Sequence, residues 1–239
     1  MEQIKADCMK QKGFKYVAYI APERPEPDLS TYEAMKTYRQ KYGFGVFAQF
    51  VYPQDPLSGS IESAEAAVRG NPNDQIMQKF NASQFDSYKK AKNSCVGKAA
   101  KEVLNKEVDS PMDGFELMSE AKEELEAAEI DGDSALVSLA DGFAGCLGGK
   151  GRRVPSTKPT ALAKRGETEF MDQWQKLGGK SDLGAPDVPA AQARPYLDRE
   201  IKAALEDLEC GKDFYTRYAP KYASIKARVR GEYGPLIGN

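Results

Sequence analysis

Residues 8–17 have the sequence CMKQKGFKYV, and residues 146–155 have the sequence CLGGKGRRVP. Both stretches contain the pattern Cys-x-x-x-Lys-Gly, and each is followed much later by one further cysteine. In both copies the sequence predicts a helix that carries the cysteine and ends at the Lys-Gly pair, because glycine commonly ends a helix. We interpret the two copies as diverged repeats of one helical unit.

The cysteines are Cys8, Cys95, Cys146 and Cys210, and no two of them form a Cys-x-x-Cys pair. The spacing therefore favours neither a zinc ribbon nor a thioredoxin-type redox motif. Their even number and the repeated context favour two disulfides, whereas free thiols of a cytosolic protein are the alternative. Three pairings are possible, and the repeat favours Cys8–Cys95 and Cys146–Cys210. Disulfides indicate an oxidising compartment outside the cytosol.

The composition bounds the class of protein. Of the 239 residues, 41% are hydrophobic and 29% are charged, which is typical of a folded globular protein. The formal net charge of −2 argues against a nucleic-acid partner. The chain has no histidine, which excludes Ser-His-Asp and Cys-His nucleophile systems and zinc sites built on histidine. We expect no cofactor and no metal site.

Two features bear on export: the N-terminal sequence and the length of the hydrophobic runs. The first residues, MEQIKADCMK, are charged and lack the apolar segment of a signal peptide. We therefore expect an exported protein to be represented here by its mature form, without its leader. No run of 18 apolar residues occurs, so the sequence predicts no membrane span.

Local signals predict a mainly α fold. Ser30 to Glu33 form a capping-box pattern that predicts a helix running to Tyr42 and ended by Gly43. Residues 61–70 are a further helix candidate, and Leu197 to Leu208 carry a clear helical stripe of apolar side chains. Short extended segments are expected after the first cysteine of each half, with a strand predicted at FKYVAYI, residues 14–20. Residues 1–110 and 111–239 are expected to form two related halves, each with its own disulfide, packed as one compact body.

Two short motifs resemble ligand sites but lack required residues. The glycine-rich sequence GCLGGKG, residues 145–151, has neither the spacing of a phosphate-binding loop nor its Ser or Thr after the lysine. Asp131-Gly132-Asp133 lacks the glutamate that ends a calcium-binding EF-hand loop, since Gly142 stands at the twelfth position. We interpret this second motif as a turn and helix cap.

The most apolar stretch is FGVFAQFVY, residues 44–52. It is interpreted as a buried strand or a core-facing wall, or alternatively as an aromatic binding face for a sugar or a peptide. The candidate binding residues are Tyr16, Tyr19, Phe44, Phe47, Phe50 and Tyr52.

The sequence also resembles a family of actinobacterial exported proteins, often lipoproteins, whose function is unknown. The resemblance lies in CMKQKGFKYV, in the proline-rich APERPEP at residues 21–27, in YRQKYGFGV at residues 38–46 and in NPNDQIMQKFNASQFDSYKKA at residues 71–91. It covers most of the chain and is strongest in the first ninety residues. The second half departs from it, since no aromatic residue flanks Cys146 and Pro220 interrupts the last predicted helix. The resemblance implies a mature extracytoplasmic domain and supplies no catalytic residues.

Together these observations predict a non-enzymatic envelope or secreted protein with a binding or structural role. Its partner would be another envelope protein or a cell-wall polymer. Two alternatives stay open: a cell-wall glycan hydrolase that uses a pair of carboxylates, and an accessory subunit of a membrane transporter.

Overall fold

The structure is a computed structural model that describes residues 1–22, 25–60, 70–177 and 188–237. These ranges contain helices and no β-strand, so the predicted mainly α fold is confirmed. The helices are α1 (Glu2–Gln11), α2 (Tyr32–Tyr42), α3 (Ala48–Val51), α4 (Pro72–Met77), α5 (Ala82–Leu104), α6 (Pro111–Glu126), α7 (Ser134–Gly149), α8 (Pro159–Leu177), α9 (Ala190–Cys210) and α10 (Lys212–Ile237). A 3-10 turn (Pro56–Ser58) and a π-helical turn (Ala127–Asp131) complete the regular structure of these ranges. The helix candidate at residues 61–70 lies, except for Gly70, outside the described residues.

The chain divides into two compact units, each of which is assembled from separate stretches of sequence. Unit 1 comprises Met1–Glu23, Ala67–Glu123 and Ala227–Asn239, and unit 2 comprises Arg24–Ala66 and Glu124–Lys226. The boundary expected between residues 110 and 111 lies inside the middle stretch of unit 1.

The predicted disulfide pairing is confirmed. Cys8 is bonded to Cys95 within unit 1, and Cys146 is bonded to Cys210 within unit 2. The Cα–Cα distances are 5.6 and 5.5 Å, which lie in the usual range for disulfides.

The two Cys-x-x-x-Lys-Gly stretches also end their helices in the same way. Gly13 and Gly151 adopt positive φ angles of 82° and 74°. The residue after each glycine donates its N–H to a carbonyl five residues back, Phe14 to Met9 and Arg152 to Leu147, both at 2.9 Å. This is the bond of a Schellman C-cap, in which glycine is favoured because a side chain opposes positive φ. The repeated motif therefore encodes one recurring helix end.

Unit 1 is built on the contact between α1 and α5. Its core contains the disulfide together with the buried side chains of Met9, Tyr88 and Ala91. The N-terminus of α5 is fixed by a capping box, in which the Asn81 side chain accepts the Gln84 N–H and the Gln84 side chain accepts the Asn81 N–H.

Residues 14–20, predicted as a strand, have no regular secondary structure, so that prediction was wrong. Side chains nevertheless take the place of a partner strand: Glu2 accepts the Tyr19 N–H at 3.5 Å, and Asn73 pairs with the backbone of Val17. The Asn73 amide accepts the Val17 N–H and donates to the Val17 carbonyl, each at 2.9 Å. Asn73 therefore satisfies both backbone groups of Val17 without a partner strand.

Unit 2 packs α2 and α3 against α9, with α8 completing the core. The helix α2 ends at Tyr42 before Gly43, as predicted, but its N-cap is Thr31, whose side chain accepts the Ala34 N–H, and the capping box expected from Ser30 to Glu33 is not formed. Asp133 caps α7 by accepting the N–H groups of Ala135 and Leu136, which confirms the interpretation of Asp131 to Asp133 as a turn and helix cap.

A candidate binding pocket in unit 2

A pocket of about 160 Å³ lies between α2, α8 and α10 within unit 2. Its walls come from the segment before α2, one face of α2 with the turn that follows, one face of α8, and one face of α10. The lining residues are Leu29, Met35, Tyr38, Arg39, Gly43, Phe44, Ala163, Lys164, Glu167, Tyr215, Tyr218 and Tyr222.

Arg39 is the buried charged residue of this lining. Its guanidinium carbon lies 4.9 Å from the centroid of the Phe44 ring and 4.8 Å from that of the Tyr215 ring, an arrangement that gives two cation–π contacts. Its Nη1 donates to Asp207 Oδ1 at 2.6 Å and to the Ala204 carbonyl at 3.3 Å. The arginine is thus fixed on four sides.

Asp207 balances the charge of Arg39 and is itself almost fully buried. Its Oδ1 also accepts the Tyr215 hydroxyl at 2.6 Å, and its Oδ2 accepts Arg165 Nη2 at 3.4 Å. Arg165 in turn donates to Glu169 at 2.8 Å. A buried charge needs this kind of compensation, because removing it from water is costly. The network therefore makes Arg39 a structural cation rather than a free anion-binding group.

Phe44 is positioned by Glu200 of α9, which is fully buried. The Glu200 carboxylate accepts the backbone N–H groups of Phe44, Val46 and Phe47 at 2.9, 2.8 and 2.9 Å. Burial raises the pKa of Glu200 to about 7, although the three N–H donors oppose this shift by favouring the ionised form.

Two glycines make room for this arrangement. Gly43 has a positive φ of 63°, and a Cβ there would lie 2.7 Å from Cγ of Glu200. A Cβ at Gly166 of α8 would lie 2.0 Å from Cζ of Phe44, a distance that no packed side chain tolerates. The ring of Phe44 therefore occupies space that α8 leaves open only because residue 166 is glycine.

The aromatic walls of the pocket are formed mainly by tyrosines. Tyr38 stacks on Tyr42 with ring centroids 4.8 Å apart, and Tyr218 stacks on Tyr222 at 5.4 Å. Tyr218 is 5% exposed as a whole residue, and its hydroxyl, which has no hydrogen-bond partner among the described residues, retains some exposure, unlike the fully buried unpartnered hydroxyl of Tyr88. Burial raises the pKa of Tyr38 to about 12 and raises the pKa of Tyr218 as well. Both phenols are protonated at neutral pH; the Tyr38 hydroxyl donates to the Leu57 carbonyl at 3.4 Å, whereas the Tyr218 hydroxyl is left for a ligand.

Two charged residues of α8 form the rim. Lys164 Nζ lies 3.2 Å from Glu126 Oε2, so that its charge is paired. Glu167 is exposed, and it forms no ion pair with any residue that the structure describes. The rim thus offers one carboxylate that remains available to a ligand.

The predicted binding residues are divided between the two units. Phe44 lines the pocket, whereas Phe47 is fully buried and stacks on Tyr196 at 4.9 Å as part of the core. Phe50 and Tyr52 are partly buried and pack on the same hydrophobic cluster.

Tyr16 and Tyr19 belong to unit 1, where the Tyr16 hydroxyl donates to Glu2 at 2.8 Å. A binding role for these two tyrosines remains a prediction.

The stretch 44–52 is a turn followed by the short helix α3, so the strand interpretation was wrong, whereas the core-facing one describes Phe47. The reason is the buried carboxylate of Glu200: it accepts N–H groups that a strand would have directed to a neighbouring strand.

Most of the pocket was not anticipated from the sequence. Tyr218 and Tyr222 are spaced as a helical stripe, which is equally typical of core packing, and nothing local distinguishes Arg39 or Glu167 from other surface charges. The available signal was the tyrosine content of α2 and α10, where four tyrosines of the two helices enter one pocket: Tyr38, Tyr215, Tyr218 and Tyr222.

Comparison with known proteins adds no assignment to this geometry. No protein-family model, no curated protein and no solved structure matches the chain. No helix of the described ranges has both the length and the apolar character needed to cross a membrane. Within the same ranges, no group of three or more Cys, Asp or Glu side chains is arranged to hold a metal ion.

Proposed function

We propose that the protein is a non-enzymatic binding protein of the cell envelope or the extracellular space, and that it binds a small ligand in the tyrosine pocket of unit 2. The observation that carries the binding role is the pocket itself. Four tyrosines and Phe44 surround it, and the Tyr218 hydroxyl forms no hydrogen bond with a described residue, so that it is available to a ligand. A small concave site with aromatic walls and a few polar groups is the usual form of a ligand site.

The extracytoplasmic location rests on the disulfides. Both are formed, each lies within one unit, and no cysteine of the described residues is left free. Such bonds persist in oxidising compartments and are rare in the cytosol. The resemblance to exported actinobacterial proteins also favours an extracytoplasmic location. The bound group would then belong to an envelope protein or to a cell-wall polymer.

A carboxylate-dependent glycan hydrolase receives no support from this pocket. That chemistry uses two carboxyl groups on either side of the scissile bond. Among the described residues that line the pocket, Glu167 is the one carboxylate. A role as an accessory subunit of a transporter remains compatible with the proposal, since it concerns the partner and not the site.

The proposal is tested by blocking the pocket. Thermal unfolding of the wild-type protein would be followed with a panel of small cationic, neutral and anionic compounds, since a ligand that binds only the folded state raises the Tm. Ala163 lines the pocket on α8. We expect Ala163→Leu to fill the pocket and abolish the shifts that the wild-type protein shows.

Ala161→Leu is the matched control, because Ala161 is exposed on the same helix and does not line the pocket. The control should keep the shifts of the wild-type protein. A panel without any active compound, or shifts that persist in Ala163→Leu, would remove the pocket as the binding site.

A further inference from the structure

The charges around the pocket leave it with an excess of one negative charge. Its two lining cations each have a carboxylate partner: Arg39 contacts Asp207 at 2.6 Å, and Lys164 contacts Glu126 at 3.2 Å. Glu167 remains on the rim without an ion-pair partner among the described residues. A ligand with a single positive charge would neutralise this excess, whereas an anion would add to it.

The aromatic walls of the pocket also favour a positively charged ligand. Aromatic rings attract cations through the negative potential of their faces, and sets of aromatic rings are the usual binding site of quaternary ammonium groups. One face of Tyr38 stacks on Tyr42, and no other ring or cation of the described residues packs against Tyr38. The Tyr218 hydroxyl adds one hydrogen-bonding group inside the pocket.

The volume limits the size of the ligand. A cavity of about 150 Å³ holds a molecule as large as benzene, and this pocket measures about 160 Å³. It therefore accepts one compact group and excludes an oligosaccharide or a peptide segment from the interior. A tetrahedral ammonium group with a short hydroxyl-bearing arm has the appropriate size.

We infer that the pocket of unit 2 binds a small organic ammonium ion, with the cation against Tyr38 and near Glu167 and its hydroxyl hydrogen-bonded to Tyr218. This inference rests on the proposed function and specifies its ligand class.

Three compounds of nearly identical shape test the charge directly: choline, neutral 3,3-dimethylbutan-1-ol and anionic 3,3-dimethylbutanoate. Binding to the full chain, with both disulfides intact, would be measured by isothermal titration calorimetry at low ionic strength. We expect choline to bind with a Kd of about 0.1–1 mM, as is ordinary for a ligand of its size. The neutral compound should bind at least about tenfold more weakly, and the anion more weakly still.

A substitution on the rim of the pocket tests whether the Glu167 carboxylate attracts the cation. Glu167→Gln removes the carboxylate at an exposed position and should weaken choline binding by about three- to tenfold. Asp172→Asn removes a carboxylate from an exposed position of the same helix outside the pocket, and it should leave the affinity unchanged.

The outcomes separate the two proposals. Preference for choline together with weakening in Glu167→Gln supports the inference. Equal or tighter binding of the neutral or anionic compound, or an unchanged choline affinity in Glu167→Gln, overturns the ligand class and leaves the binding function standing. Binding of none of the three overturns the ligand class, and failure of the wider panel as well overturns the binding function.

Discussion

Replacement of Glu200 by glutamine should remove most of the pH dependence of stability that this residue confers on unit 2. The side chain is fully buried, and its two oxygens accept three backbone N–H groups at 2.8–2.9 Å. Burial raises its pKa from 4.5 to about 7 in the folded protein. Glutamine cannot titrate, and it resembles the protonated acid in size and in the presence of one carbonyl oxygen.

Because the pKa of Glu200 is raised in the folded protein, its contribution to stability decreases as the pH rises. Between pH 4.5 and pH 7 the folded protein holds the proton of Glu200 while the unfolded chain has lost it. The contribution of this proton to stability is therefore fully present below pH 4.5 and is lost as the pH rises through 7. A shift from 4.5 to about 7, at about 1.4 kcal/mol for each pH unit, corresponds to about 3 kcal/mol.

The assay is urea-induced unfolding at several pH values between 5 and 8 with both disulfides intact. The free energy of unfolding of Glu200→Gln, relative to that of the wild-type protein, should increase by about 2.5 kcal/mol from pH 5 to pH 8, because the wild-type protein loses the contribution of the Glu200 proton over this range. Asp198→Asn is the control, because Asp198 is an exposed carboxylate of the same helix, and its curve should follow the wild-type curve. Parallel curves for Glu200→Gln and the wild-type protein would show that the three N–H donors outweigh burial, and would refute this reasoning.

Two further predictions concern the glycines and the disulfides. Gly166→Ala should destabilise the protein by about 1–3 kcal/mol, because its Cβ would meet Phe44 at 2.0 Å. Gly142→Ala, in open space within α7, should stabilise it by about 0.5–1 kcal/mol; a loss of stability in both variants, measured by urea unfolding, would contradict the packing argument. In cells of the natural source, blocking of free thiols before lysis should leave Cys8–Cys95 and Cys146–Cys210 unmodified, as measured by non-reducing mass spectrometry. Quantitative alkylation of all four cysteines would instead place the protein in a reducing compartment.

Helix ends were predicted well because their signals are local. Thr31 and Gly43 bound α2 through contacts within four residues of each position, and the Lys-Gly pairs end α1 and α7 through the same C-cap bond. Such signals act in the same way wherever the chain places them.

The two strands were predicted wrongly for a shared reason. Aromatic and β-branched residues favour an extended chain only when a neighbouring strand accepts its backbone hydrogen bonds. At Val17 the partner is the Asn73 side chain, and at residues 44–47 it is the carboxylate of Glu200. Neither partner can be identified from the sequence, because asparagine and glutamate are ordinarily surface residues.

The sequence by itself determined the mainly α class and the recurring helix end, and it favoured one of three pairings of the four cysteines, which the structure then confirmed. Each of these depends on a short pattern or on a repeat of one. Only the tertiary structure decided which charged residues become buried and which tyrosines surround a pocket. Glu200 is one of 36 acidic residues, and its burial depends on residues more than 150 positions earlier in the chain. Burial and charge pairing are properties of packed helices, and helix periodicity indicates which face is apolar without indicating what that face will meet.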